Sequence, residues 1–135
     1  MTSLVGSADF RYRRRAHFHE TDAQGVVHHS VFFKYLEETR SEFLRSRGLP
    51  YETIIEKGFE VPVVELKCRF HRPIFHADVF DVLLWVREVN RWSFSFYYEI
   101  FKDNLVAKAY SKHCLIYNKE LSTIPDEILF ILKSS

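Results

Sequence analysis

Residues 17–47 read HFHETDAQGVVHHSVFFKYLEETRSEFLRSR and combine a strand end, a glycine-containing loop and a long amphipathic helix. Apolar side chains recur at the i, i+3, i+4 spacing of a core-facing helix, at Phe32, Tyr35, Leu36, Phe43 and Leu44. Ser30 is the predicted N-cap, because a serine hydroxyl accepts a hydrogen bond from a free amide of the first turn. At the other end, Gly48 suits the left-handed C-cap conformation and Pro50 prevents continuation. The pattern predicts one helix of roughly 17 residues.

The composition fits a single compact domain over residues 1–135 with a substantial core, since 47% of the residues are hydrophobic and 16% are aromatic. The 19 lysines and arginines nearly balance the 18 acidic residues, so no overall field favours nucleic acid or a membrane surface. The N-terminal sequence has no charged leader followed by an apolar segment, and no run of about 18 apolar residues is present. We therefore expect a soluble cytoplasmic protein, with no nucleic-acid partner and no stable membrane insertion.

Alternating patterns predict strands on both sides of the helix. From Phe10 to His19, apolar positions alternate with basic ones, as in a strand with one buried face. Four further strands are predicted, at Val61–Arg72, Val79–Val89, Trp92–Lys102 and Leu105–Asn118. Their short connections favour an antiparallel meander, and Tyr51–Lys57 predicts a second short helix. The segment after Pro125 fits either a short helix or a last strand. One long helix against an antiparallel sheet is an α+β fold.

The loop before the helix carries the residues best suited to catalysis. Asp22 precedes Gly25, and His29 follows Asp22 by seven positions at the predicted helix start. A helix start offers unpaired amides and a partial positive charge, which stabilise an anion or a polarised carbonyl oxygen. A carboxylate nearby can attack that carbonyl or activate water, so both parts of an acyl-transfer site are available. Aspartate before glycine is equally typical of an ordinary turn, and spacing alone leaves both interpretations open.

The string TDAQGVVHH at residues 21–29 resembles the signature of hot-dog-fold thioesterases of the 4-hydroxybenzoyl-CoA thioesterase type, which include bacterial acyl-CoA thioesterases associated with the Tol-Pal system. The resemblance continues along the helix, at Phe32, Lys34, Glu37, Arg40, Glu42 and Leu44. It implies a hot-dog fold, in which a five- or six-stranded antiparallel sheet wraps the long helix. It also implies that two subunits join their sheets and form active sites at the interface, as a homodimer or a homotetramer.

The resemblance also implies roles for individual residues. Asp22 is the expected catalytic carboxylate, as nucleophile or general base, and the backbone amide of His29 is expected to polarise the thioester carbonyl. Gly25 would let the backbone approach closely. The expected substrate contacts around the acyl group are Val26, His28 and Phe32. His28 and Phe32 stand where relatives commonly have tyrosine, and Val31 where they often have asparagine, so substrate choice is the least determined property.

Four basic residues, Lys67, Arg69, Arg72 and Arg91, are candidates for binding the phosphates of coenzyme A, which need partly exposed cations near a tunnel mouth. No cofactor is implied. Zinc is an alternative reading of the histidines, because His17, His19, His28 and His29 lie close in sequence to Asp22 and Glu20. The resemblance implies no metal, however. Glu37 and Arg40 are expected to form an ion pair on the helix surface.

The expected function is hydrolysis of an acyl-CoA thioester, with a fatty or an aromatic acyl group. One alternative is a thioesterase specific for an aromatic substrate, such as a hydroxybenzoyl or dihydroxynaphthoyl thioester. Another is a non-catalytic module that binds acyl groups or an acyl carrier protein. Asp22 favours an enzyme, because binding alone gives no reason to hold a carboxylate beside a thioester.

Overall fold

The computed structural model describes residues 7–133 and has an α+β hot-dog architecture. The first six residues, on which the expectation of a missing leader partly depends, lie outside the described range. The strands are β1 (Phe10–Arg15), β2 (Phe59–Glu60), β3 (Val63–Phe70), β4 (Val79–Arg87), β5 (Phe94–Lys102), β6 (Asn104–His113), β7 (Leu115–Tyr117) and β8 (Glu120–Ser122). The helices are α1 (His29–Ser46), α2 (Tyr51–Glu56) and α3 (Asp126–Lys133), and a short 3-10 turn spans Phe18–Glu20.

A five-stranded antiparallel sheet, in the order β1-β4-β5-β6-β3, wraps the long helix α1. The helix buries Tyr35, Leu36 and Phe43 completely, and the sheet buries Phe96 and Ile100 just as fully. Burying a side chain of this size stabilises the fold by about 1.5–3 kcal/mol relative to leaving it exposed. The helical stripe and the alternating strand faces of the sequence therefore meet in one core.

Helix α1 begins and ends close to its predicted limits, but the predicted N-cap is wrong. His28 is the N-cap, and its Nδ1 accepts a hydrogen bond from the amide of Ser30 at 3.1 Å. Ser30 is already inside the helix, so the capping acceptor is an imidazole nitrogen and not the expected serine hydroxyl. The predicted end is confirmed: Gly48 has a φ of +82°, the conformation that glycine adopts most easily.

The predicted meander holds for β4, β5 and β6 but is wrong for β3. Strand β3 pairs with β6 rather than with β4, the next strand in the chain. Residues 71–78 connect β3, at one edge of the sheet, to β4, which lies between β1 and β5. The predicted strand Leu105–Asn118 is also two strands. The chain leaves the main sheet at Cys114, and β7 pairs with β2 and β8 in a small second sheet.

The remaining elements agree with the sequence or decide between its alternatives. Tyr51–Glu56 is helical, and the tail after Pro125 forms the helix α3 rather than a strand. Cys68 and Cys114 are both free thiols; Cys114 is buried and Cys68 is half-buried. Within residues 7–133, none of the helices has the length and apolar character needed to cross a bilayer.

Candidate active site at the start of helix α1

The Asp22 loop is a closed turn held by its own carboxylate. Oδ1 of Asp22 accepts hydrogen bonds from the amides of Gln24 and Val26, at 2.8 and 3.1 Å. The amide of Asp22 donates to the carbonyl of Val26, and that of Gly25 donates to the carbonyl of Asp22. Gly25 closes the turn with a φ of +78°. Asp22 is an exposed residue, and its second carboxylate oxygen accepts no hydrogen bond from residues 7–133. It is available to a substrate or a water molecule.

The loop returns directly to the start of helix α1. Thr21 and Val27 face each other in an antiparallel bridge, and the amide of His28 donates to the carbonyl of Glu20 at 3.2 Å. His29 is the first helical residue, so its amide has no carbonyl partner within the helix. This amide lies at the positive end of the helix dipole and suits an oxygen that gains negative charge.

A groove of about 290 Å³ opens beside this helix start. Its walls are Val26, Val27, His29, Phe32, Phe70, His71, Arg72 and Pro73. Four of the residues predicted for the site thus share one groove: Val26, His29, Phe32 and Arg72. Asp22 is not itself a wall residue; two hydrogen bonds join it to the wall residue Val26.

Aromatic rings form the floor of the groove. The imidazole of His29 stacks on Phe70, with ring centroids 4.1 Å apart and planes at 11°. Phe32 meets the same Phe70 ring edge-on at 5.0 Å. Flat walls of this kind accept an apolar or aromatic group. By contrast, His28 uses its imidazole to cap the helix, and its Nδ1 also lies 2.7 Å from the Ser30 hydroxyl.

The four predicted phosphate-binding cations do not lie together, and Arg91, which precedes β5, does not line the groove. Arg72 is at the groove, but Lys67 and Arg69 alternate with the inward-facing Phe70 and therefore lie on the opposite face of β3. There they line a separate cavity of about 540 Å³ with Tyr97 of β5 and with residues of β6 that include Tyr110. Within one subunit, Lys67 and Arg69 are thus separated from the groove by the sheet.

The matched family model is the thioesterase-like superfamily, over residues 16–132. The chain belongs to this superfamily. This thioesterase-like protein is similar to a 1,4-dihydroxy-2-naphthoyl-CoA hydrolase of Crocosphaera subtropica, with 31% identity over 80% of this chain and 82% of the relative.

Two solved structures superpose closely on the thioesterase-like chain. One is a protein of Aquifex aeolicus, with a TM-score of 0.90, 49% identity, and coverage of 92% of this chain and 99% of the other. The second is a 1,4-dihydroxy-2-naphthoyl-CoA thioesterase of Synechocystis, with a TM-score of 0.87, 26% identity, and coverage of 93% and 96%. The groove therefore lies in a thioesterase-like fold.

The thioesterase-like chain also contains a partly buried ion network that the sequence analysis did not predict. Arg14 donates to both carboxylate oxygens of Glu20, at 2.6 Å each, and to Glu38 at 3.0 and 3.1 Å. The hydroxyl of Tyr35 donates to Glu20 at 3.0 Å. Burial alone would raise the pKa of Glu20, but the hydrogen bonds from Arg14, the His17 amide and Tyr35 lower it to about 2. A signal was present, because Arg14 occupies an inward position of β1, where a charge needs a partner.

The contacts of Arg40 and of Glu20 bear on two other expectations. The predicted Glu37–Arg40 ion pair is wrong: Arg40 is only 5% exposed and donates to the hydroxyl of Tyr98 at 3.2 Å instead. Of the histidines considered for zinc, His17 and His19 do lie with Glu20, their ligand atoms within 4.8 Å of one another. Both carboxylate oxygens of Glu20 already accept hydrogen bonds from Arg14, however, so the negative charge of this group is paired with a guanidinium.

Proposed function

We propose that this protein hydrolyses acyl-CoA thioesters to a free acid and coenzyme A, with Asp22 and the backbone amide of His29 as the reacting groups. The observation that carries the proposal is the closed loop. The exposed carboxylate of Asp22 accepts a hydrogen bond from Val26, which lines the groove. His29, the first residue of helix α1, lines the same groove. An acid side chain and a free amide are the two groups that acyl transfer requires.

The mechanism follows from these two groups. The thioester oxygen accepts a hydrogen bond from the His29 amide, which stabilises the negative charge that develops on that oxygen. The free oxygen of Asp22 either attacks the carbonyl carbon or removes a proton from an attacking water molecule. The carbon–sulfur bond then breaks and coenzyme A leaves as a thiolate. On the nucleophilic route, water hydrolyses the acyl-aspartate in a second step and regenerates the carboxylate.

We propose that the acyl group occupies the groove against Phe32 and Phe70, with Val26 as a further wall residue. The stacked His29 and Phe70 rings favour a flat acyl group, so an aromatic acyl-CoA is the second candidate substrate. The dihydroxynaphthoyl-CoA activity named for two relatives supports the same choice. The TDAQGVVHH motif supports the 4-hydroxybenzoyl-CoA thioesterase type and its Tol-Pal-associated branch.

The proposed assembly is a homodimer or homotetramer of a single domain, residues 1–135, in the cytoplasm. Strand β3 is a sheet edge, and three of its apolar residues, Val63, Val64 and Leu66, are 39–54% exposed. An exposed apolar edge strand favours pairing with a second copy. Lys67 and Arg69 would then serve coenzyme A bound to a neighbouring subunit, and Arg72 would serve its own. Acyl carrier protein is a further candidate carrier of the acyl group.

The test is a thiol-release assay with wild type, Asp22→Asn and Asp22→Ala over short, long and aromatic acyl-CoAs. Both variants should lose kcat by on the order of 100-fold or more, since this is what a positioned acid–base group contributes. Asp103→Asn, in the exposed turn between β5 and β6, is the matched control and should retain full activity. Near-wild-type hydrolysis by an Asp22 variant contradicts the mechanism. Binding of acyl-CoA without turnover by wild type favours the non-catalytic module.

A further inference from the structure

We infer that Glu20 is a positioning residue that fixes the Asp22 carboxylate relative to the His29 amide. The inference rests on the proposed function and deepens it, because it concerns how the two reacting groups keep their mutual position. Glu20 itself does not line the groove. It acts through the backbone on either side of the loop.

The first step is that Glu20 contacts three separate parts of the chain. Its Oε1 accepts hydrogen bonds from Arg14 on β1 at 2.6 Å, from the His17 amide at 2.8 Å and from Tyr35 on α1 at 3.0 Å. The Arg14 guanidinium also lies over the Tyr35 ring, 4.8 Å from its centroid. One carboxylate therefore ties the strand before the loop to the helix after it.

The second step is that the same residue holds the loop by its main chain. The backbone carbonyl of Glu20 accepts a hydrogen bond at 3.2 Å from the amide of His28, the N-cap of α1. Asp22 follows Glu20 by two residues, and His29 follows His28 by one. A shift of Glu20 would thus move the carboxylate and the helix start at once.

The third step is that the contacts are rigid. Glu20 is 6% exposed and Tyr35 is fully buried. Charge-assisted bidentate pairs of this geometry are among the strongest hydrogen bonds in proteins. The pKa of Glu20, about 2, keeps the carboxylate charged throughout any ordinary assay range. A misplacement of about 1 Å at a reacting group costs on the order of 100-fold in rate, so such rigidity matters for turnover.

Glu38 provides a matched control, because it accepts hydrogen bonds from the same Arg14 but contacts no part of the loop. It also accepts one from Tyr12 on β1 at 3.1 Å. Glu38→Gln therefore weakens the ion network without releasing the Asp22 loop. Glu20→Gln weakens the network and releases the loop.

The experiment compares kcat, KM and thermal unfolding for wild type, Glu20→Gln, Tyr35→Phe and Glu38→Gln. We expect kcat to fall by about 10- to 100-fold in Glu20→Gln and by about 3- to 10-fold in Tyr35→Phe, with KM within about twofold of wild type. The loss should be uniform between about pH 5 and 8, because Glu20 does not titrate there. Glu38→Gln should keep wild-type kcat. Amide NMR signals of residues 22–29 should shift in the first two variants only.

Wild-type kcat in a folded Glu20→Gln or Tyr35→Phe variant overturns the inference. An equal loss of kcat in Glu38→Gln also overturns it, since the effect would then follow general destabilisation. If Glu20→Gln does not fold, Tyr35→Phe decides, because it removes one hydroxyl and keeps the buried ring. Asp22→Asn separates the two proposals. Full activity in that variant removes the proposed function itself, whereas an inactive Asp22→Asn with a normal Glu20→Gln removes only the positioning role.

Discussion

Lowering the pH from about 7 to about 4.5 should cost this protein about 2–3 kcal/mol of unfolding free energy through one buried side chain, His113. The His113 ring is 1% exposed, lies against Phe94 with centroids 5.3 Å apart, and places its Nε2 2.8 Å from the Ser111 hydroxyl. Burial, and secondarily the charge of Arg40, lower the pKa of His113 from 6.5 to about 3. The imidazole is therefore neutral in the folded protein at pH values where it is protonated in the unfolded chain.

The sign and size follow from proton binding. Below pH 6.5 His113 binds a proton in the unfolded chain but not in the folded protein, so the free energy of unfolding falls as the pH falls. The fall ends near pH 3, where His113 is protonated in the folded protein as well. The slope is about 1.4 kcal/mol per pH unit, and two units give about 2.7 kcal/mol. Above pH 6.5 the contribution vanishes.

The assay is urea unfolding at several pH values for wild type and His113→Phe. Phenylalanine keeps the ring contact with Phe94 but does not titrate, so its cost at neutral pH is one hydrogen bond, about 1 kcal/mol. The stability of wild type minus that of His113→Phe should fall by about 2–3 kcal/mol between about pH 7 and about pH 4.5, so that the variant becomes the more stable protein at acidic pH. His71→Phe, at an exposed histidine, should follow wild type. A change of less than about 1 kcal/mol in the difference between wild type and His113→Phe would refute the reasoning.

Three more outcomes follow from single contacts. Arg40→Met should raise the pKa of His113, because the Arg40 charge is one cause of its depression, and an NMR titration of His113 measures the change. Gly25→Ala should lower the unfolding free energy by about 1–2 kcal/mol in urea, because of its φ of +78°, and Gly25→Asn should lower it less. The Cys68 thiol, whose pKa burial raises to about 11, should be alkylated by iodoacetamide at about pH 8 on the order of 100-fold more slowly than a free cysteine, by mass spectrometry.

The local elements of this fold were predictable because they depend on local periodicity. The stripe from Phe32 to Leu44 defined α1, and the Gly48 cap defined its end. Pairing of β3 with β6 was not predictable, because strand periodicity states which face is buried and not which strand lies beside it. The N-cap role of His28 was not predictable for a different reason, because histidine is not among the residues that usually cap helices.

For the candidate site, the sequence located the loop and the helix start but not what holds them. Asp22 and His29 were named from a motif, and the groove beside them was not. The separation of Lys67 and Arg69 from the groove could have been read from alternation, since both lie opposite to Phe70 on β3. The second partner of Arg14 could not, because Glu38 lies 24 residues away and an ion pair has no periodic signature.

Glu20 and His113 set two different acid limits in the same molecule. The pKa of Glu20 is lowered from 4.5 to about 2, so its contribution to stability is complete above about pH 4.5 and is lost as the pH falls through about 2. His113 weakens the fold already from pH 6.5 downward. Between about pH 4.5 and pH 6.5 the Glu20 carboxylate stays charged and keeps its hydrogen bonds, while the free energy of unfolding of the whole protein declines. Activity lost in that interval by molecules that are still folded therefore does not come from release of the loop by Glu20.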